Sequence, residues 1–100
     1  MSQLLDQLRS ELRVRHYAYR TEGTYIHWVK DYIYFHDQTH PAEMGVPEIN
    51  RYLSHLATNR NVTAATQNQA LCAILFLYRH VLHREPGTLG NVIRATKAPR

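Results

Sequence analysis

The sequence predicts an all-α protein, a bundle of four main helices with short connections and one last short helical segment. Three observations support this fold class. Apolar residues recur at helical spacing in four separate stretches, and no stretch shows the alternation of apolar and polar residues that a half-buried strand requires. Proline and glycine residues fall mainly between these stretches, where connections are expected.

The stretch from residue 63 to residue 82 is predicted to be the longest helix, of about 20 residues. Thr63 is a suitable N-cap, and no glycine, proline or acidic residue follows within the stretch. The half from Ala70 onward is apolar on nearly every side, which is typical of a helix at the centre of a bundle. Cys72 lies in this half and is expected to be a buried, inert thiol.

The first helix is predicted over residues 2–16. Its apolar stripe consists of Leu4, Leu5, Leu8 and Leu12. This stripe is narrow, so the helix is expected to be peripheral in the bundle, or to pack on another protomer.

The second helix is predicted to begin with Thr21 as its N-cap and with Glu22 near its positive end. Its core face is formed by Tyr25, Trp28, Val29, Tyr32, Ile33 and His36. Thr24, His27 and Asp31 share another face, and Lys30 lies at its flank.

Residues 37–46 are predicted to form a loop, after which Pro47 suits the first turn of a third helix. The stripe of that helix consists of Ile49, Tyr52, Leu53, Leu56 and Ala57. After a turn at residues 83–87, the residues Leu89, Val92 and Ile93 allow a last short helical segment. Residues 94–100 are expected to be a basic linker or tail.

The 100 residues correspond to one domain with a formal net charge of +4. From Arg51 onward the only acidic residue is Glu85, so the second half is strongly basic. This distribution favours a polyanionic partner such as nucleic acid. A basic surface that serves only solubility is the alternative.

Several classes of function are not supported by the sequence. The apolar runs are too short to span a bilayer, and the N-terminus does not resemble a signal peptide, so a cytoplasmic protein without membrane partners is expected. No catalytic constellation and no glycine-rich phosphate loop is found. His36 and His40 lie at a helix end and in a loop. His80 and His83, one turn apart near a helix C-terminus, could bind a metal, but they better suit the negative end of the helix. Zinc would need further ligands, so neither a metal nor another cofactor is expected.

The remaining polar features suit binding. Thr63, Thr66, Gln67, Asn68 and Gln69 crowd the start of the long helix, and Thr21 and Thr24 that of the second. A helix N-terminus attracts phosphates, and amide side chains can pair with adenine edges in the major groove. Taken singly, each of these residues is better explained by ordinary helix capping and solvated polar turns. Two such helix starts, with basic residues nearby and no acid in the long helix, together favour DNA.

These residues resemble those of a known family. The matching positions are residues 20–30, Phe35-His36, His40-Pro41, Gly45, Glu48, residues 52–57, Val62, Thr66, residues 69–78, Val81-Leu82, residues 92–95, Lys97, Pro99 and Arg100. Over about residues 4–100 the chain is similar to the N-terminal, SAM-like core-binding domain of the tyrosine recombinases (phage-integrase family). Within this family it most resembles the integron integrases.

The resemblance implies an orthogonal SAM-like bundle over residues 1–93 that grips a recombination half-site. Its second and fourth helices would approach the major groove, and residues 94–100 would lead to a separate catalytic domain that carries the tyrosine nucleophile. The segment itself would therefore be non-catalytic. Its expected partners are DNA, as duplex or folded single strand, and other recombinase protomers.

Ten residues are candidates for DNA contacts. They are Arg20, Thr21, Thr24, His27 and Lys30 from the second helix, and Arg60, Thr63, Thr66, Gln67 and Gln69 at the fourth. Two rival hypotheses remain: a helical protein–protein assembly module that acts through helix 2–16, and a metal-dependent enzyme built on the histidines.

Overall fold

A computed structural model of the protein describes residues 2–84, and all regular elements in this part are helices, as predicted. The four main helices are α1 (Ser2–Val14), α2 (Tyr19–Phe35), α3 (Val46–Thr58) and α4 (Ala64–Phe76). A 3-10 turn at Pro41–Glu43 lies before α3, and a π-helical turn at Leu77–Val81 continues α4. The predicted helical segment near Leu89 and the linker 94–100 lie outside the described residues.

Helix α1 buries only its narrow leucine stripe and exposes its other sides, as expected of a peripheral helix. Leu8 and Leu12 are fully buried and Leu4 nearly so. The helix packs against α2 and against the π-helical turn of the same chain. The leucine stripe therefore has its partners within one protomer.

A buried carboxylate fastens α1 to α2. Glu22, in the first turn of α2 as predicted, is only 4% exposed. Its Oε1 forms an ion pair with Nε of Arg9 at 3.2 Å, and its Oε2 accepts a hydrogen bond from Nε of Arg13 at 3.0 Å. The hydrogen bond from Arg13 and the charge of Glu22 raise the pKa of the Arg13 guanidinium. Such charge-assisted bonds fix the crossing of the two helices.

Helix α2 begins three residues earlier than the sequence predicts, at Tyr19. The N-cap is Ala18, which supplies no side-chain bond, and the prediction of Thr21 as the cap is wrong. Tyr17 explains the shift, because its ring packs on Tyr25 and Phe76 with centroid distances of 5.7 and 5.3 Å. The chain is thereby held in place just before α2 starts.

The start of α4 agrees with the sequence, whereas its end does not. The backbone N–H of Thr66 donates to Oγ1 of Thr63 at 3.2 Å, so the predicted N-cap is confirmed. After Phe76 the helix widens, and the N–H of Leu82 bonds the carbonyl of Leu77 at 3.0 Å, five residues back. A single continuous α-helix through residue 82 is therefore not formed.

Three tyrosines lie in the core, as their apolar spacing predicts. Tyr32, Tyr52 and Tyr78 are at most 1% exposed. The Tyr78 hydroxyl donates to the Pro41 carbonyl at 2.8 Å, so the Tyr32 hydroxyl donates the 3.1 Å bond between the oxygens of the two tyrosines. Burial, and secondly this donated bond, raise the pKa of Tyr32 and keep it a neutral donor. This chain of bonds ties α2, the π-helical turn and the 3-10 turn together.

Candidate nucleic-acid interface

The two helices expected to face DNA form the most extensive helix pair in the described part of the chain. Trp28 of α2 donates its indole N–H to Oε1 of Gln69 on α4 at 3.1 Å. Trp28 is largely buried, whereas Gln69 is exposed, so this bond lies where the helix pair meets solvent. We call the following exposed and half-exposed candidate residues of these two helices and of the α4 N-cap the α2–α4 surface: Arg20, Thr24, His27, Lys30, Thr63, Thr66 and Gln69.

The α2 part of this surface is basic and accessible. Arg20, His27 and Lys30 are exposed, and Thr21 and Thr24 are half-buried. Arg20, Thr24 and His27 share one helix face because they are spaced by four and three residues. The Thr24 hydroxyl donates to the carbonyl of Arg20 at 3.0 Å, so it is engaged within its own helix.

At the start of α4, the threonine side chains cap the helix. Helix capping is the explanation that the sequence offered as the alternative to DNA contact. The Thr63 hydroxyl accepts from the Thr66 backbone and also donates to Oγ1 of Thr66 at 3.0 Å. The two hydroxyls therefore satisfy each other in part. Thr63 is exposed and Thr66 half-exposed, so both remain accessible to a partner as acceptors.

Gln67 does not belong to the accessible surface, which corrects its predicted role. Its side chain is 1% exposed, and its Nε2 donates to the carbonyl of Leu53 on α3 at 2.9 Å. Gln67 stands three and seven residues before Ala70 and Ile74, which are also buried. This helical spacing is the signal in the sequence that would have placed Gln67 on the core face.

Replacing Gln67 with leucine is expected to lower the free energy of unfolding by about 1 kcal/mol. The loss is moderate because the Leu53 carbonyl, inside α3, still accepts its helical bond. Gln7→Leu, the same change at an exposed position of α1, is the matched control and should change stability less. Urea unfolding followed by circular dichroism measures both, and a larger loss for Gln7→Leu would contradict the assignment.

Arg60 lies in the connection between α3 and α4 and is bound to an acid. Its NH1 donates to Oδ2 of Asp31 at 2.5 Å, and the hydroxyl of Tyr52 donates to the same oxygen at 2.5 Å. The sequence places Asp31 on the face of Thr24 and His27, but it does not reveal this pairing across 29 residues.

A shallow groove of about 380 Å³ lies along α2 beside this ion pair. It is lined by Gly23, Ile26, His27, Lys30, Asp31 and Tyr34. Among these described lining residues, Asp31 is the only acid, and Lys30 and His27 are the basic groups.

The distribution of ion pairs leaves two cations of α2 available. Within residues 2–84, Arg20 and Lys30 form no ion pair. By contrast, Arg9 and Arg13 bind Glu22, and Arg15 binds Glu11 at 2.6 Å. An anion that approaches α2 therefore meets charges that no carboxylate of the described chain already neutralises.

His80 and His83 line the same shallow groove. In the part of the chain that the structure describes, no three metal-ligating side chains are grouped so that they could hold a metal ion. Nε2 of His36 lies 2.9 Å from the Glu48 carbonyl, and Nδ1 of His40 accepts from the N–H of Ala42 at 3.0 Å. These two rings serve local structure around the 3-10 turn.

Cys72 is exposed, so the prediction of a buried thiol is wrong. It lies on the solvent side of α4, four and three residues after Asn68 and Gln69, which are also exposed. Among the helices of residues 2–84, none has the length and apolar character to cross a bilayer.

Comparison with known proteins places this helical bundle in a family. Residues 4–88 match the family described as phage integrase, N-terminal SAM-like domain. The match covers most of the chain, and the protein belongs to this family.

Two curated relatives show the same relationship. An integrase/recombinase of Escherichia coli and one of Pseudomonas aeruginosa are each 49% identical to the chain over 79 residues. The aligned part is 79% of this chain and 23% of either relative. The chain thus spans about a quarter of the length of these integrases.

Proposed function

We propose that this domain binds recombination-site DNA as the non-catalytic core-binding part of a site-specific tyrosine recombinase. The observation that carries the proposal is the α2–α4 surface. On it, Arg20 and Lys30, which have no carboxylate partner within residues 2–84, accompany polar side chains of both helices. Membership of a family of integrase N-terminal domains supports the same function. A DNA backbone is the polyanion that such a surface suits.

The proposed DNA contacts follow from accessibility. Nine of the ten candidates remain, since only Gln67 is buried away from solvent. The cationic residues would neutralise phosphates, which positions the domain. Gln69 keeps its amide N–H groups for an acceptor on the DNA, because its Oε1 is used by Trp28.

The finer parts of the proposal concern the parent protein. We propose residues 1–93 as the DNA-binding domain and residues 94–100 as a basic linker to a catalytic domain. In that protein, resembling an integron integrase, the partners would be a duplex or folded single-stranded half-site and other protomers. A titration with both a duplex and a hairpin oligonucleotide distinguishes the two DNA forms.

The rival hypothesis, protein–protein assembly through helix 2–16, finds less support in the structure. The leucine stripe that would drive such assembly is buried against α2 and the π-helical turn. An apolar helix face that is already covered offers little area for a partner.

Neutralising Arg20 and Lys30 together, as Arg20→Gln/Lys30→Gln, is expected to weaken DNA binding markedly at low salt. The slope of log K against log salt should become shallower by roughly 0.9 for each phosphate that the variant no longer neutralises. Fluorescence anisotropy with a labelled duplex at several salt concentrations measures both quantities.

Arg51→Gln provides the control for net charge. Arg51 is exposed on α3 and borders a different groove, together with His36, Asp37 and Glu43. Its loss should affect binding less than half as much as the double change. If Arg51→Gln weakened DNA binding as much per removed charge as Arg20→Gln/Lys30→Gln, binding would not depend on the α2–α4 surface.

A further inference from the structure

Asp31 brings a negative charge into the surface proposed to meet DNA. It is half-buried on α2, next to Lys30, and it is the acid among the described residues that line the groove there. Its Oδ2 accepts from both Tyr52 and Arg60 at 2.5 Å. The negative charge of Asp31 at this place repels the phosphates of a polyanion, and it also binds a cation, Arg60, that could otherwise contact a phosphate.

The core holds this carboxylate in position. Tyr52 is fully buried, and its ring packs on Tyr32 and Phe35 with centroid distances of 5.5 Å each. Burial, followed by the hydrogen bond to Asp31, raises the pKa of Tyr52, so its hydroxyl stays a donor. Because one oxygen of Asp31 is bound by a rigid ring, the carboxylate has little freedom to move away.

Arg60, in contrast, is accessible to solvent and bound at one nitrogen. Its side chain is 40% exposed, and it binds Asp31 through NH1 alone rather than as a two-pronged pair. A partly exposed ion pair of this kind changes an equilibrium by at most about fivefold. A DNA phosphate with its high local charge can therefore exchange with Asp31 for the guanidinium.

We propose that Asp31 is an intramolecular competitor of DNA phosphate for Arg60 and thereby limits the affinity of the domain for DNA. This inference rests on the proposed DNA-binding function. While Arg60 is bound to Asp31, the pair has no net charge and contributes little to phosphate binding. DNA gains a contact with Arg60 only when one of its phosphates lies where it can replace the Asp31 carboxylate. DNA bound in another position does not gain this contact.

The test compares four chains: the natural one, Asp31→Asn, Arg60→Gln and the double variant. Asparagine has nearly the shape of aspartate and retains an oxygen that can accept from Tyr52. Binding of a labelled duplex is measured by anisotropy over a range of salt concentrations. Thermal unfolding of each variant shows that it is folded.

Competition predicts that Asp31→Asn tightens binding by about three- to tenfold at low salt when Arg60 is present. In the Arg60→Gln background the gain should be less than about twofold. The salt slope should steepen by roughly 0.9, because one more phosphate is neutralised.

Other results would overturn the proposal in distinguishable ways. If Asp31→Asn raises the DNA affinity equally with and without Arg60, Asp31 acts only through long-range repulsion of the phosphates. If Asp31→Asn weakens DNA binding, Asp31 orients Arg60 for contact with DNA. Either result leaves the proposed function standing. If no variant binds duplex or hairpin DNA at low salt, both are wrong. Should Asp31→Asn fail to fold, Asp31→Ser removes the same charge and is judged by the same criteria.

Discussion

Replacing Leu8 with alanine is expected to lower the free energy of unfolding by about 2–5 kcal/mol. Leu8 is fully buried where α1 meets α2 and the π-helical turn. The truncation removes apolar packing and leaves a cavity that the surrounding helices close only partly. Urea unfolding followed by circular dichroism measures the change.

Gln7→Ala is the control for this prediction, since Gln7 neighbours Leu8 but is exposed. Its effect should lie within about 0.5 kcal/mol. The same measurement at two protein concentrations tests where α1 packs. If the loss in Leu8→Ala depended on concentration, the helix would be docked on a second protomer rather than on its own bundle.

Replacing Tyr78 with phenylalanine is expected to cost about 1–3 kcal/mol of stability. The Tyr78 hydroxyl lies in the middle of the chain of bonds from Tyr32 to the Pro41 carbonyl. Its removal leaves the buried Tyr32 donor without this acceptor. The Pro41 carbonyl is less affected, because it also accepts from the N–H of Met44 at 3.0 Å.

The order of three tyrosine variants checks the direction of these bonds. Tyr32→Phe removes only the first donor and leaves the bond from Tyr78 to Pro41 intact, so it should cost less than Tyr78→Phe. Tyr34→Phe, at an exposed position, should be nearly neutral. Equal losses for Tyr32→Phe and Tyr78→Phe in urea unfolding would contradict the proposed donor order.

Much of the fold could be predicted from the sequence because local signals and burial agree. The spacing of Leu4, Leu8 and Leu12 and that of Ile49, Tyr52 and Leu56 identify buried helix faces correctly. Thr63 caps α4, as a threonine before an uninterrupted helical stretch suggests. Pro47 lies in the first turn of α3, where its missing N–H costs nothing.

The errors arose where tertiary contacts override local preference. Thr21 is a good cap by residue type, but the packing of Tyr17 lets α2 start earlier without a side-chain cap. Gln67 lies in a run of polar residues and was therefore expected to be accessible. Its position on the buried face of α4 instead brings its amide to the Leu53 carbonyl. Cys72 sits in an apolar run, yet its side of the helix faces solvent.

The candidate site was predictable in its helices but not in its pairings. The exposure of Arg20, His27 and Lys30 follows from their position opposite the aromatic face of α2. The bonds between Asp31 and Arg60 and between Trp28 and Gln69 join residues 29 and 41 positions apart. Such contacts depend on how the helices cross, which periodicity within one helix does not specify.

The bond between Trp28 and Gln69 gives the molecule a built-in optical probe. Trp28 is the chain's one tryptophan, so all indole emission originates where α2 meets α4. The indole is 7% exposed and its N–H is engaged by a side chain that itself faces solvent. Events at this helix junction can therefore be followed by intrinsic fluorescence, without a dye on the protein.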